Sequence, residues 1–307
     1  MTELDRILSK GVLPADFLRP EERSGFPVDV QRKKIWAVEL DLLLEIDRVC
    51  RKNNIRYWLC AGTLLGAVRH GGFIPWDDDL DIIMMREDFD RFVRLGAEFK
   101  SPYFLQTHDT DPEYFYSFPK IRNSNTTSLS EMFAYQDMNH GIFVDLYPLD
   151  PTDAVKGPEV FAEIDRLNRE LSTYMRMKKP DLNAANRERV AGYCGESPDA
   201  LYRRIQELAV SVPDDGTGRI VQFLSTMTGY RRNCFHAADF ATTRTVRFEG
   251  FDFPAPGGTD GLLTDTFGDY MRLPPPEQRT GHFGSLFEPD VPYCEFLKKY
   301  RKAGEIQ

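Results

Sequence analysis

The chain has no apolar run long enough to cross a bilayer, so no integral membrane segment is expected. It has no basic excess: 39 Lys and Arg stand against 48 Asp and Glu, a formal net charge of -9. That balance argues against nonspecific binding to nucleic acid or an anionic membrane, which needs a positive surface. A local basic pocket for a phosphorylated ligand stays open. Cysteine is scarce. Cys50, Cys60, Cys194, Cys234 and Cys294 are odd in number and scattered, with no CxxC pair. They suggest neither a disulfide framework nor a zinc cage, only free and mostly buried thiols. No internal repeat or low-complexity tract is present. The first eight residues carry charges where a leader would have its apolar core, so a cytoplasmic location is expected.

What remains is an ordinary globular composition, 41% hydrophobic and 28% charged over 307 residues, enough for one large domain or two modest ones. Residues 1–28 are rich in turn formers and charge and read as an irregular arm or short helix. Ile35, Val38, Leu42, Leu43, Ile46 and Val49 recur at helical spacing and predict a long helix over 30–53. A strand over 57–61 and a short helix over 63–70 follow, with Thr63 as N-cap. Further strands are expected at 79–85, 103–107, 117–122 and 141–147, the last ending at Pro148, with a helix over 88–99 between them. From 158 to about 228 the pattern is helical, broken near Pro180, Pro198 and Pro213. A hairpin over 246–253, its turn not a strong two-residue type, and a helix over 262–270 complete the reading.

The most informative stretch is 61–82. A glycine-marked turn precedes Asp77, Asp78, Asp79 and Asp81, which run straight into the apolar Ile82-Ile83-Met84-Met85. Carboxylates packed so closely repel one another and are costly to desolvate, so a cation should offset them. In a strand, Asp79 and Asp81 share one face, while Leu80, Ile82 and Met84 face a core. Asp77 has the same parity but precedes the strand. Two carboxylates on one face suit a shared Mg2+. A solvated acidic loop or helix capping is the plainer alternative.

Two other features bear on the same chemistry. Gly62-Thr63 opens a helix, whose free N–H groups can seat a phosphate, although such turns are usually structural. Asp145 lies between Phe143 and Tyr147 on a strand whose other face is Ile142, Val144 and Leu146. It reads as a third metal ligand, as a base for an acceptor hydroxyl, or as a buried structural acid paired with an Arg or a backbone cap.

Together these pieces resemble the LicD family of phosphotransferases, which includes the fukutin-related proteins. The resemblance lies in the run 62–70, in 72–81, in Lys120-Ile121-Arg122, in 141–145, in 270–275 and in the Arg279, His282 pair. It covers roughly 33–150 and 245–285. It implies an α+β fold: a nucleotidyltransferase-like mixed sheet flanked by helices. On that reading 1–28 is an N-terminal arm, 29–150 the catalytic core, 151–240 a helical insertion and 241–307 a return to the core.

The resemblance also implies transfer of a phospho-alcohol group, such as phosphocholine, from a CDP-activated donor to a glycan or glycolipid hydroxyl, as in lipopolysaccharide or teichoic acid modification, with release of CMP. Asp79, Asp81 and Asp145 would be catalytic and would hold Mg2+ or Mn2+, with Asp77 completing the shell. Gly62, Thr63, Lys120, Arg122, Arg279 and His282 would bind the donor phosphates. If the donor carries choline, Phe133, Tyr135 and Tyr147 are candidates for an aromatic cage. Two rival readings remain. One is a metal-dependent glycosyltransferase that binds a nucleotide sugar through Asp-x-Asp. The other is a non-enzymatic calcium- or glycan-binding module.

Overall fold

The computed structural model describes residues 1–179, 187–188, 191–192, 195–281 and 285–304. The fold is α+β. Its centre is a mixed sheet organised around one ten-residue strand, Ile142–Pro151. On one side this strand pairs in parallel with Asp81–Met85, in the register Asp81↔Asp145 to Met85↔Leu149. Trp58–Leu59 then adds to Asp81–Met85 antiparallel. On the other side Lys120–Asn123 pairs with its first half, Lys120 opposite Asp145, and carries Tyr103–Gln106 outward. Arg219–Val221 pairs with its last two residues and carries Cys234–His236.

Alternation divides the sheet into two chemical faces. Leu80, Ile82, Met84, Ile121, Val144 and Leu146 are all fully buried. They join the core built on the helix Val30–Lys52. Asp29 caps that helix by accepting the Arg32 N–H at 2.8 Å, and its apolar residues face the sheet at the expected spacing. The opposite face carries Asp81, Ile83, Lys120, Arg122, Asp145 and Tyr147.

Several elements differ from the sequence reading. The acidic strand begins at Asp81, not at 79, although the Asp145 N–H still donates to the Leu80 carbonyl at 2.9 Å. The strand from 142 does not stop at Pro148. Ladder alternation turns the Pro148 nitrogen toward an edge gap, between Lys120–Asn123 and Arg219–Val221, so its missing N–H breaks nothing. The helix expected over 88–99 is Arg86–Val93 followed by a short 3-10 turn. The C-terminal hairpin pairs Thr243–Phe248 with Phe251–Pro256 through Glu249 (φ 47°) and Gly250 (φ 89°), the pair of positive φ angles typical of tight hairpins. Glu249 tolerates this because Arg23 and the Phe73 N–H hold its carboxylate.

The first residues form a helix, Glu3–Ser9, and a small hairpin, Glu21–Arg23 with Phe26–Val28. Arg6 and Lys10 tie that helix to the buried Asp41 of the long helix. Beyond the central strand, helices Lys156–Arg176 and Pro198–Ala209 pack on each other with their own core of Phe161, Ile164, Leu167, Leu201 and Ile205. The break expected near Pro180, and Cys194, lie outside the described residues. No helix among the described residues is long and apolar enough to cross a membrane.

Candidate active site

A cavity of about 450 Å3 opens where the acidic turn meets the start of the helix Ala61–His70. Asp77, Asp79, Asp81, Gly62, Trp76 and Tyr147 line it, with Gln222, Arg232 and Asn233 across from them. Glycine at 62 lets the acid come close: a Cβ there would stand 2.8 Å from Asp77 Oδ2 and displace that carboxylate. Gly66 serves the same end, since a Cβ would stand 2.5 Å from the Gly72 carbonyl and push helix and acidic loop apart.

The helix starts two residues earlier than expected. Cys60 precedes it without a side-chain cap, and Ala61 makes the turn at φ 47°. Thr63 is therefore not the N-cap. Its hydroxyl accepts the Asp81 N–H at 2.8 Å and fixes the helix start against the acidic strand. The first N–H groups of this helix remain without intrahelical partners, as helix starts do, and Ala61 and Gly62 face the cavity.

The acidic turn is held from below by one stripe of the long helix, which sequence reasoning missed. Arg32 donates to the Asp77 carbonyl at 2.7 Å and Trp36 Nε1 donates to the same oxygen at 3.1 Å. One turn further, Glu39 is buried, and its Oε2 has no hydrogen-bond partner among the described residues. Burial pushes this carboxyl well above its usual range, and the charges of Asp79, Asp78 and Asp77 push it further. The available signal was positional: 32, 36 and 39 share a helix face, and a glutamate stands within the apolar pattern.

Asp145 sits directly across from Asp81 on the same face. It is buried, and both its oxygens are engaged. Lys120 Nζ donates to Oδ1 at 2.5 Å, and the Tyr147 hydroxyl donates to Oδ2 at 3.2 Å. Lys120 is itself buried and lies 3.4 Å from the Phe143 ring centroid. Burial pulls its pKa down, against the opposing pull of Asp145. Arg122 is buried as well and does not reach the cavity lining. It donates to Gln106 and, at 2.6 Å, to the Gly141 carbonyl.

The structure thus brings together Asp77, Asp79, Asp81 and Gly62, with Asp145 and Lys120 one strand away. Arg279 lies beyond Trp76, its guanidinium 5.4 Å from the indole centroid. His282 lies outside the described residues. Tyr147 lines the cavity, while Phe133 packs in a separate cluster with Tyr114. The oxygen-only donor set suits a hard divalent cation. Among the described residues, no three His, Cys, Asp or Glu side chains stand in a metal-binding group, so the fit rests on the chemistry of Asp79 and Asp81 at the cavity wall.

Comparison with known proteins agrees with this architecture. Residues 54–170 match the family model described as LicD/FKTN/FKRP, nucleotidyltransferase domain. The chain is 27% identical over 250 residues to the lipopolysaccharide cholinephosphotransferase LicD of Haemophilus influenzae, covering 79% of this chain and 92% of that protein. It is 34% identical over 107 residues to the human ribitol 5-phosphate transferase FKRP, covering 33% of this chain and 18% of that one. The segment that matches the LicD family model, 54–170, holds the acidic turn and the central strand.

Proposed function

We propose that this protein transfers a phospho-alcohol group from a CDP-activated donor to a glycan or glycolipid hydroxyl and releases CMP. The observation that carries the reading is the meeting of Asp79 and Asp81 with the open helix start at Ala61–Gly62, inside a LicD-type segment. A carboxylate pair beside free N–H groups suits a diphosphate bound with a cation.

Asp79 and Asp81 would hold Mg2+ or Mn2+, and Asp77 would stand beside them at the cavity wall. Bound there, the metal supplies neutralisation of the diphosphate charge. The backbone at Ala61 and Gly62 orients a donor phosphate. The acceptor oxygen forms a bond to the phosphorus carrying the alcohol, and the bond from that phosphorus to the CMP oxygen breaks. The hydroxyl proton goes to Asp145, which Lys120 and Tyr147 orient. Trp76 and Tyr147 exclude water from one wall of the cavity.

The test is a donor screen with Mg2+, scoring CMP release and product mass. A CDP-alcohol should give CMP and a product heavier by the phospho-alcohol, and EDTA should abolish both. Sugar transfer from a nucleotide sugar would replace this reading with the glycosyltransferase one. Calcium binding without turnover of any donor would leave a binding module.

A further inference from the structure

Behind Trp76 lies a second pocket, of about 600 Å3, with the opposite charge. It shares Leu65, Ile74, Trp76 and Phe267 with the acidic cavity, so the two are separated by one layer of side chains. Arg69, Arg272 and Arg279 line it, together with one acid, Asp269, so the lining is net positive. Arg69 and Arg279 are half-buried and both lie against the Trp76 ring, at 6.0 and 5.4 Å from its centroid; burial and the charge of Arg279 together lower the Arg69 pKa.

Neutral groups hold both guanidiniums. Arg69 donates to the Tyr270 carbonyl at 2.9 Å and to His70 Nε2 at 2.9 Å. Arg279 donates to the Pro274 carbonyl at 2.9 Å and to the Ser24 carbonyl at 2.9 Å. Burial and the neighbouring Arg69 and Arg23 bring His70 down to about 4, so it is neutral at pH 7. With Nε2 accepting from Arg69, its Nδ1–H faces the Ser24 hydroxyl at 3.2 Å. The nearby Glu249 is taken by Arg23. Among the described residues, neither Arg69 nor Arg279 has a carboxylate in ion-pair contact.

Two half-buried guanidiniums with no carboxylate in ion-pair contact carry a desolvation cost that a bound anion would offset. We propose that Arg69 and Arg279 form an anion subsite around Trp76 that takes a phosphate group, distinct from the acidic cavity. A phosphate carries close to two negative charges and offers oxygens to both planar forks, which a single carboxylate does not match as well. The subsite stands on this geometry alone; which substrate brings the phosphate rests on the transferase reading, and donor and acceptor are both possible sources.

The experiment is calorimetric titration of the full chain with inorganic phosphate, with and without saturating CMP and Mg2+. Wild type should bind at one saturable site. Arg69→Gln and Arg279→Gln should each weaken binding at least tenfold, and Arg166→Gln, on the remote helical pair, should not. Circular dichroism checks folding. If Arg69→Gln does not fold, Arg279→Gln, anchored on loop carbonyls, decides. Absence of saturable binding, or unchanged affinity in the folded variants, overturns the subsite. Phosphate that still binds beside CMP assigns the subsite to the acceptor; phosphate displaced by CMP assigns it to the donor. Phosphate binding without any CMP binding upholds the subsite and counts against the transferase reading.

Discussion

The central sheet and the helical pair that follows it solve opposite problems. In the pair Lys156–Arg176 and Pro198–Ala209, burial is apolar and charge is outside. Glu163, Arg166, Glu170 and Arg204 form ion pairs on its surface, and Phe161, Ile164 and Leu167 fill its core. In the sheet, charge is inside. Asp81, Asp145, Lys120 and Arg122 are all buried on one face. Burying charge costs far more than burying leucine, and a fold retains it where the charge itself is used. On the proposed function, the difference separates a region held by apolar packing from the face assigned to the chemistry.

The sharpest break of this contrast is at the acidic turn. Asp79→Asn and Asp81→Asn should each lower transfer roughly a hundred- to a thousandfold while leaving the melting temperature near wild type. Near-normal turnover in either would remove the cation-binding assignment.

One step smaller, Lys120→Met should destabilise the protein by about 3–5 kcal/mol, because Asp145 is left buried without its cation. Adding Asp145→Asn should recover most of that loss in denaturant unfolding. No recovery would mean that Lys120 contributes packing and not charge. In the helical pair, Leu167→Ala should cost about 2–5 kcal/mol, with turnover per folded molecule unchanged. A loss of turnover beyond the loss of folded protein would tie this pair to the chemistry. Smallest, Arg166→Ala should move stability by less than about 0.5 kcal/mol, since its partners are solvent-screened; a larger shift in urea midpoint would contradict the surface reading.

Much of the site was legible because its signals are local. Asp77, Asp79 and Asp81 lie within five residues of one another, and alternation alone assigns the faces of Leu80, Ile82 and Met84. Asp145 announced itself as an acid on a buried strand. What escaped depends on register between distant segments. Lys120 meets Asp145 only because their strands pair in one alignment. Arg32 and Glu39 reach the acidic turn only because the helix and the loop cross there. Arg219–Val221 and Cys234–His236 are three residues each, too short to show a period of two, so their joining of the sheet edge was invisible. The tight turn at Glu249 was hidden because its carboxylate is stabilised by Arg23, more than two hundred residues earlier.

The parallel pairing of Asp81–Met85 with Ile142–Pro151 has a consequence for the order of assembly. Partners such as Asp81 and Asp145 are far apart along the chain, and closing so long a loop is slow compared with forming a local helix or hairpin. During synthesis the aspartates of the acidic turn emerge well before the strand that completes their surroundings. The helix Val30–Lys52 and its neighbours can collapse first, while the charged face waits for the central strand to insert. Sequence separation therefore predicts that the charged face forms late in folding, and a nascent chain still lacking that strand has the acids of the turn without Asp145 beside them.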